Sequence, residues 1–177
     1  MSDLKNKNII VTGASGGIGN SIVKKLYEHG ANILASGTKI EKLEDLKSNF
    51  EKIKILKFDI SQIDKIEEFI DNATKEIGGN LDCIVNNAGI TQDNLAIRMS
   101  LDEWNKVIDT NLSSTFFMSK FAIKKMLKNK SGKIINITSV IAVLIKPGEI
   151  QLILIFFFAY SIARLFDIAI IPALEAV

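Results

Sequence analysis

The chain is short of the residues that staple or ligate. Cysteine occurs once, at Cys83, and histidine once, at His29. A lone thiol excludes an internal disulfide framework and fits a reducing compartment. No Cys/His cluster can be assembled from these two, so no metal is expected. A marked excess of charge of one sign is missing as well. The formal net charge is +2 and the pI near 8.6, too mild to argue for nucleic acid, and the lysines are spread as on a solvated surface. Met1-Ser2-Asp3-Leu4-Lys5 lacks the apolar core of a signal peptide, which makes the cytoplasm the expected location. Cys83, inside Leu81-Asp82-Cys83-Ile84-Val85, reads as a small buried hydrophobe rather than a nucleophile. His29 closes a predicted helix, where it complements the helix dipole.

What is present suits a folded domain. A length of 177 residues, with 47% hydrophobic and 24% charged, is enough to bury a core. Short apolar strands are predicted at Asn8–Thr12, Ala31–Ser36, Ile53–Phe58, Leu81–Asn86 and Lys133–Thr138. Between them, helices are expected over Gly17–His29, Ile40–Phe50, Gln62–Ile77 and, as one long element, from Ser100 to Lys128. Gly30 and Gly78-Gly79 supply helix stops, and Ser131-Gly132 breaks the long helix. Ser100-Leu101-Asp102-Glu103 has the form of a capping box. Alternation of this kind implies right-handed crossovers and a doubly wound, Rossmann-type α/β domain with a parallel sheet.

The chemistry is expected where strands end. Thr12 leads into Gly13, Ala14, Ser15, Gly16, Gly17, Ile18 and Gly19, between a strand and a helix. Glycines there let backbone approach a pyrophosphate, and the helix start offers free N–H groups to it. The second strand ends Ser36-Gly37-Thr38-Lys39, without the carboxylate that would hold ribose hydroxyls and repel a 2′-phosphate. That favours NADP over NAD, with Thr38 and Lys39 facing the phosphate. Asp59, followed by Ile60, is placed either to accept from an adenine amino group or to open the next helix ahead of Ser61. Asn87, Ala88 and Gly89 give small side chains where the cofactor's ribose should pass.

Taken jointly, Thr-Gly-x-x-x-Gly-x-Gly at 12–19, Asn-Asn-Ala-Gly at 86–89, Asn111 and Ser139 resemble the short-chain dehydrogenase/reductases. Asn86 to Met99 and Asp109-Thr110-Asn111-Leu112-Ser113-Ser114 are similar to the 3-oxoacyl-[acyl-carrier-protein] reductases within that family. The resemblance runs from residue 1 to about 148. It implies NADPH as cofactor and a β-keto acyl chain on acyl carrier protein as substrate. It also implies an Asn-Ser-Tyr-Lys tetrad in which Asn111 supports a relay water and Ser139 polarises the substrate carbonyl. Lys128 and Lys130 either dock the acidic carrier protein or are solvated.

The tetrad's second half is missing. The tyrosine expected about a dozen residues after Ser139 falls near Leu152, and no lysine follows Lys146. Tyr160-Ser161-Ile162-Ala163-Arg164 imitates Tyr-x-x-x-Lys too far along the chain, and arginine is a poor substitute for a proton-shuttling lysine. All glycines and lysines lie at or before Gly148, whereas four of the ten phenylalanines lie after it. The expectation is therefore an incomplete dinucleotide-binding domain at 1–148 and a divergent hydrophobic segment at 149–177, as translation in a shifted frame would give. In that reading the family's C-terminal strands and its homo-oligomer are lost, and activity with them. Residues 150–171 include an apolar run of 14 residues, Ile150–Ala163, short for a span of about 20. A buried helix, a membrane contact and an aggregating tail are the alternatives there.

Overall fold

The computed structural model describes residues 4–92, 94 and 96–137. Ser139, Tyr160, Arg164 and the whole of 149–177 lie outside them. The elements are β1 (Asn8–Thr12), α1 (Gly17–Glu28), β2 (Asn32–Gly37), α2 (Ile40–Asn49), β3 (Lys54–Lys57), α3 (Ile66–Glu76), β4 (Cys83–Asn86), α4 (Leu101–Ile108), α5 (Ser114–Lys128) and β5 (Lys133–Asn136). All strand pairs are parallel, in the order β3-β2-β1-β4-β5. The order reverses at β1, whose neighbours β2 and β4 both follow it in the chain, one on each side.

Strand alternation divides the core between the sheet's faces. Ile9, Val11, Ile33, Ala35 and Val85 pack with Val23 and Leu26 of α1 and Leu43 and Leu46 of α2. Ile10, Leu34 and Ile84 point the other way, onto Phe69 and Ile70 of α3 and Met118 and Ala122 of α5. Every residue of β1 is buried, as the central strand of a sheet covered on both faces requires. Cys83 belongs to this interior, and burial pushes its thiol up to about 12. At the N-terminal ends of the strands, Asp82 accepts from the Asn8 N–H at 3.0 Å and pairs with Lys7 at 3.1 Å.

Helix ends follow local chemistry. Gly30 (φ +81°) closes α1: its N–H donates to Tyr27 O at 2.9 Å and that of Ala31 to Leu26 O at 3.2 Å. Gly78 and Gly79 repeat this Schellman arrangement on α3 through Lys75 and Thr74. His29 caps α1 with its Nδ1 2.8 Å from Lys25 O. Ser100 Oγ accepts from the Glu103 N–H at 3.2 Å, and the Glu103 carboxylate accepts from the Ser100 N–H at 2.8 Å. The capping box is thus complete.

Three details differ from the sequence reading. The helix predicted over Gln62–Ile77 opens as a 3₁₀ turn at Ile63–Lys65 before α3 begins. The single helix expected from Ser100 to Lys128 is divided by a π-turn at Asp109–Ser113. Hydroxyls serve the carbonyls around that wider turn: Ser114 Oγ donates to Asp109 O at 2.8 Å and Thr115 Oγ1 to Asn111 O at 2.8 Å. Hydrophobic periodicity does not register one inserted residue. Finally, α5 is stopped one step earlier than Ser131-Gly132, by Lys130 in the left-handed region (φ +51°).

Candidate functional site

A crevice of about 390 Å³ opens at the carboxyl ends of β1, β2, β3 and β4, where the strand order reverses and ligands bind in open α/β sheets. Its floor is held by Thr12, which is 3% exposed. Thr12 Oγ1 accepts from the N–H groups of Asn87 and Ala88, both at 3.0 Å. Asn87 Nδ2 returns two bonds of 3.2 Å to the carbonyls of Thr12 and Gly13. The end of β1 is thereby fastened to the loop after β4.

The glycine turn is built to keep side chains out. Gly13 has φ +61°, and a Cβ there would lie 2.8 Å from Ala88 Cα. A Cβ on Gly19 would run into the Gly13 carbonyl. Gly17 differs, since a Cβ on it would meet nothing within 4 Å. Helix α1 begins at Gly17 with no side-chain cap and no acid in its first turn, so its first N–H groups and positive dipole end are left for an anion. These observations fit a pyrophosphate against the backbone of 13–19.

Most of the residues expected from the sequence converge. Gly13, Ser15, Gly16, Gly17, Ile18, Gly19, Thr38, Asp59, Ile60, Asn87, Ala88 and Gly89 all line the crevice. Ala14 does not. It is fully buried in the core, and its N–H donates to Ser36 O at 3.0 Å, tying the turn to β2. One Asp59 carboxylate oxygen accepts from the Ser61 N–H at 2.9 Å, and the residue lines the crevice. Lys39 is exposed at the start of α2.

Asn111 stands at the middle of the π-turn and is 3% exposed. Its Oδ1 accepts from the Ile90 N–H and its Nδ2 donates to Ile90 O, both at 2.8 Å. Its side chain therefore clamps the loop after β4, and Gly89 leaves it room, since a Cβ there would lie 3.1 Å from Asn111 Oδ1. Ser139, expected beside it, lies outside the described residues. Sequence reasoning passed over Phe58, Ile90 and Thr110, which also line the crevice. Each adjoins a residue that was singled out (Asp59, Gly89 and Asn111), and Thr110 lies on the π-turn, for which no sequence signal exists.

Among the described residues no cluster could hold a metal, and no helix is long and apolar enough to cross a membrane.

This sheet order with a glycine cradle at its reversal defines a Rossmann-type doubly wound domain. The chain belongs to the short-chain dehydrogenase family, whose model matches residues 7–150. It is 40% identical over 153 residues to the 3-oxoacyl-[acyl-carrier-protein] reductase FabG of Rickettsia bellii (strain RML369-C), an alignment covering 84% of this chain and 60% of that protein. Nodulation protein G of Rhizobium sp. (strain N33) is 38% identical over 150 residues, covering 84% and 61%. Among solved structures, a short-chain type dehydrogenase/reductase from Mycobacterium marinum superposes with a TM-score of 0.71 at 28% identity, covering 76% of this chain and 58% of that one. The chain thus spans about 60% of the length of the curated relatives it matches.

Proposed function

We propose that the chain binds NADP(H) in the crevice, derives from 3-oxoacyl-[acyl-carrier-protein] reductase chemistry, and does not itself complete that reduction. The observation that carries the reading is the cradle at 13–19, with backbone packed so tightly that Gly13 and Gly19 tolerate no side chain. Asp59 and Ile60 suit the adenine end, and Asn87 to Gly89 the ribose that follows. The absence of a carboxylate at the end of β2, with Thr38 and Lys39 in its place, supports the 2′-phosphorylated coenzyme. The kinship with FabG proteins supports a β-keto thioester on acyl carrier protein as the ancestral substrate.

A bound nicotinamide would supply hydride. Proton delivery to the developing alkoxide is what this chain lacks. Asn111 and Ser139 remain from the expected tetrad, but Leu152 and Phe156 stand where the tyrosine and lysine belong. Removing a positioned general acid costs about 10²–10⁴ in rate, and loss of the ammonium at the ribose lowers cofactor affinity further. The test pairs two assays on the purified chain: NADPH binding by fluorescence, and NADPH oxidation with an acetoacetyl thioester. Saturable binding without oxidation is expected. Turnover at rates ordinary for enzymes refutes the inactivity, and absence of binding refutes the cofactor assignment.

A further inference from the structure

We propose that Ser114 is a positioning residue for the adenine half of the coenzyme, fixing the wall of the crevice at Ile60. The inference rests on the dinucleotide-binding reading above and adds to it a residue to which that reading gives no role. Ser114 is fully buried, and its Oγ lies 2.7 Å from the carbonyl oxygen of Ile60, 54 residues away. A serine at the start of a helix ordinarily bonds within its own turn. Here a local acceptor is also at hand, the Asp109 carbonyl at 2.8 Å, but it already receives the Ser114 N–H across the π-turn. One hydroxyl hydrogen cannot fully serve both oxygens, and the Ile60 carbonyl has the greater need of it.

The bond spans two walls of one site. Ile60 and Asp59 line the crevice from the end of β3, and Thr110, on the π-turn itself, lines it from α4–α5. The extra residue of the turn lets Thr110 and Asn111 face the strand ends while Ser114 reaches Ile60. Asn111 holds the loop after β4 by its two bonds to Ile90. The same helical defect thus fastens the adenine side through Ser114 and the ribose side through Asn111, consistent with π-turns gathering at functional sites.

The test separates the two halves of the ligand. Binding of 2′,5′-ADP and of reduced nicotinamide mononucleotide to the full chain is measured by NMR titration, beside thermal melting. Three variants are compared with the unsubstituted chain: Ser114→Ala, Ser114→Cys and Ser119→Ala. Ser114→Ala is expected to weaken 2′,5′-ADP by roughly tenfold while leaving the mononucleotide unchanged. Ser114→Cys, which keeps the volume and a weak donor, should fall between, and still reads the effect if the alanine variant does not fold. Ser119→Ala removes a hydroxyl further along α5 that donates to Thr115 O at 2.8 Å and accepts from Asn86 Nδ2 at 3.2 Å; it should lower the melting temperature without weakening 2′,5′-ADP selectively. Unchanged 2′,5′-ADP binding in both Ser114 variants overturns the proposal, as does equal weakening of the two halves. If the unsubstituted chain binds neither half, the dinucleotide reading itself falls and the role of Ser114 with it.

Discussion

Gly13 and Gly17 sit four residues apart and answer different physical demands. Gly13 holds a left-handed backbone against Ala88, so Gly13→Ala should destabilise the fold by about 1–2 kcal/mol or more and abolish coenzyme binding. Gly17 faces open space at the first position of α1. Gly17→Ala should leave the melting temperature equal or higher, because alanine is the better helix former, yet weaken NADPH through the methyl placed where the pyrophosphate approaches. Melting curves beside binding titrations check the pair, and a Gly17→Ala variant that binds as well as the parent contradicts the cradle. The sequence shows both glycines in one motif but cannot tell them apart, because the difference is Ala88, 75 residues away in the chain. Cys83 makes a simpler prediction. With its thiol pushed up to about 12 by burial, it should resist a thiol reagent at pH 8 in the folded chain and react on addition of denaturant. The sign follows from linkage: a thiol ionises more readily in the unfolded chain, so this group lowers stability as pH rises past the ordinary thiol range.

At the level of elements, capping chemistry was the most legible part of the sequence, since it needs only neighbours. The box at Ser100 and Glu103 and the stops at Gly30 and Gly78 are all found. Backbone and side-chain bonds to Ser100 hold the Glu103 carboxyl below its usual range. Its contribution is present above the ordinary glutamate pKa and is lost as pH falls through the lowered folded value. Glu103→Gln should accordingly lower the urea midpoint at neutral pH and progressively less in acid, as read by unfolding curves across pH. The C-terminus of α5 was less legible. A lysine gives no hint of a left-handed conformation, and Ser131-Gly132 offered a better-looking stop. Lys130 nonetheless takes φ +51°, and the Lys130 and Ser131 N–H groups donate to Leu127 O at 3.2 Å and Met126 O at 3.3 Å. Lys130→Gly should raise stability by about 1 kcal/mol, with an unchanged denaturant slope. The π-turn was not legible at all: its cause is tertiary, in the bonds of Asn111 to Ile90 and of Ser114 to Ile60.

For the molecule as a whole, the periodicity of the strands and the placement of the glycine turn were sufficient to anticipate a parallel doubly wound sheet. They did not give the strand order, which depends on which crossover covers which face. The order β3-β2-β1-β4-β5 brings residues 12, 13, 15–19, 36–38, 58–60, 87–90 and 110 to one crevice. In the proposed reading, that convergence is what holds the dinucleotide. The proposed loss of reduction comes from residues rather than from the fold, since the sequence has neither a tyrosine near Leu152 nor a lysine four residues further on. The two parts are independent, so one experiment must read both. NADPH is titrated into the purified chain while its fluorescence is followed, and an acetoacetyl thioester is then added to the saturated complex. The account predicts a saturable fluorescence change, lost in Gly13→Ala, followed by no consumption of NADPH above the rate without protein. Brisk oxidation after the thioester, or a flat titration before it, would contradict it.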